Sequence, residues 1–450
     1  MTWHELIADT PLNITGFGLD SHGELLICDH QPGDKGGFYR LVPTPPASAD
    51  QPAFPKKLSE SGLFVDVSQH RMADGVVPYE PASPLWSDGT FKARFFALPP
   101  ATSSGGQVVP AKIGVTNGRG WNFPDGTVLV KSFAIDEVEG DPATRRWIET
   151  RFMLKEQGEW AGYSYEWNDE QTDAVLVEAA GKDRDYTIRT ADLAAAADES
   201  RTLAWHYPSR TECMVCHSRA SNYVLGLCTV QLNRDYNYEA VLGPGHATDN
   251  QLRTLEHLGL LDVGWWGDAM GELRMRGIAA GVEEKDAWAW VGRQTKSADP
   301  EAGKFAQRRS TLLSRAPAAT NRLVNPYDAA HPLEARARSY LQSNCASCHV
   351  FAGGGNAQID LEYMSAYDTR PLDAMKAVGV KPLHTTFDLA DPQLIAAGHP
   401  ERSVLLARMS RRGPGQMPQL GTTVVDDKAV ALMREWIESL TPPKSTVSQR

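Results

Sequence analysis

Two pentapeptides carry the chemistry that this sequence spells most plainly: Cys213-Met214-Val215-Cys216-His217 and Cys345-Ala346-Ser347-Cys348-His349. Each sets two thiols three positions apart and follows the second with an imidazole. Two such thiols add to the vinyl groups of haem, and the adjacent His supplies the proximal nitrogen to iron. The rival use of paired Cys-x-x-Cys is structural zinc, whose halves lie roughly 15 to 20 residues apart. Here the two pairs lie 345 − 216 = 129 positions apart. With 12 His among 450 residues, a His after both pairs by chance has a frequency of (12/450)², roughly one in 1,400. Haem attachment demands that His as iron ligand, so the coincidence favours haem. Two covalently bound haem c groups are expected, on Cys213, Cys216, Cys345 and Cys348, with His217 and His349 as axial iron ligands.

The sixth ligands are less evenly written. Gly413-Pro414-Gly415-Gln416-Met417-Pro418 is a loop sequence, and Met417 follows His349 by 417 − 349 = 68 residues. A thioether in such a loop is the expected second axial ligand, and His/Met ligation raises the reduction potential. Met409, on a short apolar segment, is the fallback and reads better as core. For the first haem Met270, Met275, His246 and His257 all lie within reach along the chain, and none is singled out. An open or His-ligated iron there would sit at lower potential than the His/Met one and give electron flow a direction.

The elements around the second motif form a recognisable set. Pro332 to Asn344 puts Leu333, Ala337, Tyr340 and Leu341 on one helical face that runs into Cys345. After it, Asp426-Asp427 opens a helix whose Val430, Met433, Trp436, Ile437 and Leu440 share a face. Two such helices packed together resemble class I cytochrome c. Asn250 to Leu261, with Leu252, Leu255, Leu258, Leu260 and Leu261, also reads as helix, as do Ala/Arg/Glu-rich segments near 281 to 316.

Upstream the pattern favours strands, as in Thr127 to Phe133 and Trp147 to Leu154, with turn signals at Asp125-Gly126 and Gln157-Gly158. In Trp160 to Trp167, Tyr163, Tyr165 and Trp167 project from one face. That row is expected to line the inside of a β-sandwich, with sugar stacking as the alternative use. Short strands on both sides of a Gly-rich turn are expected in 14 to 43, and Pro43 to Pro55 reads as an extended linker. The expected division is a short β-segment over 1–45, a linker over 46–56, a β-sandwich-like domain over 57–200, a helical first-haem region over 201–330, a class I cytochrome c-like domain over 331–440 and a tail over 441–450. The fold class is thus multidomain α+β, a β-sandwich-like region followed by an all-α cytochrome c region.

Composition narrows the functions. Lys plus Arg total 45 against 56 Asp plus Glu, a net charge of -11 that gives a nucleic-acid backbone no general reason to bind. No run approaches the roughly 18 apolar residues a membrane helix needs. Met1-Thr2-Trp3-His4-Glu5 has no secretory-signal pattern, whereas haem attachment takes place after export. The expectation is a mature fragment or a sequence missing its upstream part, located in the periplasm or outside the cell. Cys28 and Cys228 remain over, read as two buried thiols with a disulfide as the alternative. His22, His30 and His70 read as surface groups without a metal. No nucleophile elbow, Walker loop or dinucleotide fingerprint is present.

Several stretches carry a family likeness. Gly23-Glu24-Leu25-Leu26 and Tyr39-Arg40-Leu41 resemble the last blade of a glucose/sorbosone-dehydrogenase type of β-propeller. Phe54 to Phe64, Pro84-Leu85-Trp86-Ser87-Asp88-Gly89, Gly162 to Asn168, Pro208 to Cys213 and Gln231-Leu232-Asn233-Arg234-Asp235 resemble bacterial secreted haem-c proteins. In those, such a propeller precedes a β-rich region and a C-terminal di-haem cytochrome c region. The resemblance implies electrons passed from a sugar or alcohol dehydrogenase module to the haems. This chain holds only about thirty residues of propeller-like sequence, so residues 1–45 read as a blade remnant and no dehydrogenase site is expected in it, since a propeller needs several four-stranded blades.

The leading expectation is an electron-transfer protein or subunit with a redox partner protein or a fused or neighbouring dehydrogenase, rather than a self-contained enzyme. The alternatives are a di-haem peroxidase-like enzyme with an open first haem, and a carbohydrate- or partner-binding β-module carrying a cytochrome.

Overall fold

The computed structural model describes residues 12–30, 36–42, 54–103, 105–190, 200–296, 309–351 and 353–441. The N-terminal sequence, most of the Pro-rich stretch and the tail from 442 lie outside them. At the start, β1 (Ile14–Leu19), β2 (Leu25–Asp29) and β3 (Gly37–Arg40) form an antiparallel meander. The turn between the first two runs through Gly23 at φ +81, a conformation glycine adopts without strain.

The main sheet is built from β4 (Val76–Pro78), β5 (Phe91–Ala97), β7 (Val128–Asp136), β8 (Arg145–Glu156), β9 (Glu159–Trp167) and β10 (Ala174–Leu176). The label β6 is kept for Ile113–Val115, which stands apart. The order is β10-β9-β8-β7-β5-β4, antiparallel throughout. Side chains alternate across it. One face packs Phe95, Val130, Phe152, Tyr165 and Trp167 into a core. Tyr165 and Trp167 are 0% and 1% exposed, and Tyr163 stacks on Phe54 with centroids 4.1 Å apart. The aromatic row is therefore core. His70, expected at the surface, belongs to the same core: it stacks on Trp147 at 3.9 Å and its Nε2 lies 2.8 Å from Ser132 Oγ.

The opposite face meets two apolar clusters. Phe96, Leu129, Met153 and Trp160 join residues from beyond 220, including Leu227, Leu252, Leu261 and Val263. Phe133 joins Tyr186, Ile188, Leu203 and Trp205 of the hairpin β11 (Lys182–Arg189) and β12 (Ser200–Tyr207).

The expected sandwich followed by an all-α cytochrome region is not what forms. Among the described residues the chain is mixed α and β, with one six-stranded sheet, several two- and three-stranded ones and short helices. Residues 201–330, expected to hold the first haem, are joined to the β-region: β13 (Leu261–Gly264) pairs in parallel with β6 and delivers its apolar residues to the core around Phe96 and Leu129. The leucine pattern misled here for a local reason. Helix Gln251–His257 stops at Gly259, φ +69, leaving Leu258 52% exposed while Leu261 turns into a strand at 0%. Leucine spacing alone cannot tell a helix from a helix that breaks into a strand.

Downstream, the helices Leu333–Asn344 and Asp427–Ser439 pack together in a core of Ala337, Tyr340, Leu341, Leu432, Met433, Trp436 and Ile437. These and the helices that matter for the site are α1 (Arg210–Cys216), α2 (Gln251–His257), α3 (Trp265–Ala279), α4 (Leu333–Asn344), α5 (Val404–Met409) and α6 (Asp427–Ser439). Long irregular segments join them. Among the described residues no helix is long and apolar enough to cross a membrane.

The Pro84 to Gly89 stretch ties this C-terminal unit to the sheet. Asp88, 5% exposed, accepts from Thr422 Oγ1 at 2.6 Å, Thr423 N at 2.9 Å and Val424 N at 2.8 Å. Trp86 donates from Nε1 to Val424 O and from its amide to Asn344 Oδ1. Gln231 accepts from the Ser83 amide and donates to Ser343 Oγ.

Candidate functional site

The first motif sits on α1, whose start is fixed by Ser209 and Glu212. The Glu212 amide donates to Ser209 Oγ and the Ser209 amide to Glu212 Oε2, a reciprocal cap. Glu212 also meets His206 Nε2 at 3.0 Å, and this pair with Asp183 raises the His206 pKa against its burial. The helix lies on β9 where that strand has no side chain: a Cβ at Gly162 would stand 2.6 Å from Cys213 Sγ. Cys213 and Met214 pack against the cluster of Phe96, Met153 and Trp160.

His217 closes α1. Its Nδ1 lies 2.7 Å from Tyr223 O, so with Nδ1–H donating to that carbonyl, the Nε2 lone pair is left for a metal. Burial holds its pKa down to about 4, with the Tyr223 contact opposing, so the ring is neutral as a ligand must be.

The second motif follows α4 directly. His349 is neutral for the same reason, burial first and the Arg408 cation second. The backbone is wrapped close around it: a Cβ at Gly355 would stand 2.5 Å from His349 Nδ1, and Leu361 N donates to His349 O at 2.8 Å. His349 Nδ1 is buried without a hydrogen-bond partner.

The two motifs, 129 positions apart in sequence, touch. Cys348 Sγ lies 3.9 Å from Val215 O, and Ala220 packs on the C-terminal core. Arg119 secures the junction, donating to Ala220 O and reaching Glu362 at 3.8 Å, which in turn pairs with Arg370 at 2.6 Å.

The expected sixth ligands fare differently. Met417 is half-buried, and its amide donates to Arg408 O at 3.1 Å; Arg408 also donates to Gly415 O. Its loop is thus tied to the residue whose charge acts on His349. Met409 is buried in the helical core, as its apolar setting implied. His246 and His257 are exposed, His246 with Nδ1 on Gly243 O at 2.9 Å. Met275 is half-buried with its sulfur 3.7 Å from Arg274 Nη1. Met270 lies on α3, its side chain outside the described ones. Cys28 and Cys228 are both free, Cys228 buried with its thiol pushed up to about 11.

All four motif cysteines are unpaired thiols, and among the described residues no three His, Cys, Asp or Glu side chains converge as a metal cage. Neutral, positioned imidazoles beside free Cys-x-x-Cys thiols are the donor set of haem c. The residues present fit that group. The residues that sequence reasoning did not single out for the site are Gly162, Gly355 and Tyr223. Only the position of Gly162 inside a strand was a readable signal. Comparison with protein-family models, with curated proteins and with solved structures gives no match for this chain.

Proposed function

We propose that the chain is a di-haem c-type cytochrome, an electron carrier of the periplasm or extracellular space, fed by a sugar or alcohol dehydrogenase and emptied by a downstream acceptor. The carrying observation is the contact of the two attachment motifs, Cys348 Sγ on Val215 O at 3.9 Å. Two groups attached there share a protein wall, and electron tunnelling falls steeply with separation. Haem iron, when bound, supplies reversible one-electron exchange. The chain's part is to hold it. Tyr223 fixes the His217 ring, burial keeps both imidazoles unprotonated, and Asp88 pins the segment that follows Met417.

The test is expression with a signal peptide and a c-type maturation system, followed by the pyridine haemochrome spectrum and intact mass. Two haems per chain that survive denaturation are expected. None would overturn the proposal. The exposed positions of His246 and His257 favour a second reading, a peroxidase-like first haem with an open coordination site. High-spin ferric iron with peroxide turnover would establish that one instead.

A further inference from the structure

Between the two apolar clusters on one face of the main sheet runs a line of cations. Arg94 on β5 pairs in register with Lys131 on β7, and Lys131 with Arg151 on β8. Alternation puts Lys92 on this face too. Arg151 is neutralised, its Nε and Nη2 each 2.7 Å from the carboxylate of Glu149, which is 0% exposed. Among the described residues Lys92 donates to Thr90 O, at 3.3 Å. Arg94, 8% exposed, and Lys131 have no carboxylate within 4 Å among the described residues. Lys131 rests over the Phe133 ring at 4.9 Å.

Like charges opposite each other on neighbouring strands repel, and a buried cation without a counter-ion is costly. Such a row is stable where an anion lies along it. The row begins beside the first motif: the charges of Arg151 and Lys131 act on Cys216 and His217, and Cys213 covers Gly162, whose neighbour Ser164 is Arg151's partner in register. From Arg151 to Arg94 is two strand steps, roughly 10 Å at the usual ~4.8 Å spacing. That is the scale of a porphyrin, whose vinyl edge binds the cysteines and whose opposite edge carries two carboxylates.

We infer that Lys131 and Arg94, lying across the sheet from Cys213 and Cys216, seat the propionate carboxylates of the first haem. The assignment rests on the haem reading above. It gives the β-region a role in holding and tuning the cofactor, because a cation beside the haem disfavours the more positive ferric state and raises the potential.

The test is a redox titration of the full-length matured protein and of Lys131→Met, Lys131→Arg and Arg94→Gln. The wave of the first haem is identified in a C345A/C348A chain. Haem content and mass are measured on every sample. The expected result is two haems in each of these three variants, a first-haem midpoint shifted to lower potential in Lys131→Met and Arg94→Gln, near wild type in Lys131→Arg, and an unmoved second-haem wave. A first-haem midpoint unchanged in both charge-removing variants would overturn the seat while leaving the cytochrome intact. Absence of covalent haem from the wild-type protein would overturn the haem reading itself, and the seat with it.

Discussion

Gly162 and Cys213 meet with no room between them: a Cβ on the glycine would lie 2.6 Å from the sulfur and 2.7 Å from the Cys213 Cβ. Helix α1 therefore approaches β9 to the limit that an absent side chain allows, and the Cys213 thiol is held at that seat. Gly162→Val is expected to push α1 off the sheet and prevent attachment at Cys213. The matured variant should carry one haem by intact mass, at Cys345 and Cys348. Two haems in Gly162→Val would show that the close approach is not needed.

Met417 and Met409 sit in different surroundings, so substituting each tests ligation apart from packing. Met417 is half-buried in a loop tied to Arg408, whereas Met409 is 7% exposed in the helical core. Met417→Ala should leave both haems attached and let the second bind added imidazole or carbon monoxide, read as a spectral shift. Met409→Ala should leave that spectrum unchanged and lower stability by about 2–5 kcal/mol in urea denaturation, the usual range for a truncated core methionine.

What the sequence disclosed follows from how local each signal is. The two Cys-x-x-Cys-His motifs, the helix running into Cys345 and the apolar face around Met433 and Trp436 depend on residues within a few positions of one another. The strands from Val128 to Trp167 were legible for the same reason. Pairing of β6 with β13 joins positions about 148 apart (261 − 113), and nothing in either tripeptide names its partner. His70 stood among polar residues along the chain, and its burial depends on Trp147, supplied by another strand. The contact of Cys348 with Val215 was hidden in the same way, as was the use of Pro84 to Gly89.

Asp88 is the centre of that last stretch. It sits at φ +53, a left-handed conformation that Asp and Asn tolerate better than most residues. Its carboxylate takes the Thr423 and Val424 amides and the Thr422 hydroxyl. Asp88→Asn keeps the backbone conformation but turns an amide donor toward those donors. With about 1.5–3 kcal/mol for a hydrogen bond to a charged group, a loss of about 3 kcal/mol is expected. Chemical denaturation measures it, and hydrogen exchange should locate faster opening at 422–424. A variant as stable as the parent, with those amides still protected, would remove Asp88 from the joint.

His70 makes the protein acid-sensitive in a defined window. Burial against Trp147 and beside Ser132 holds its pKa down to about 4 from an ordinary 6.5. The unfolded chain therefore binds a proton below about 6.5 that the folded chain refuses until about 4. Stability from this group is complete above 6.5, declines as pH falls toward 4, and changes no further below that, by proton linkage. His70→Gln keeps a group able to hydrogen-bond Ser132 but cannot titrate. Its urea midpoint should be lower than the parent's at pH 7.5, and the difference should shrink between pH 6.5 and 4. A difference constant across that range would show that His70 is not the titrating group.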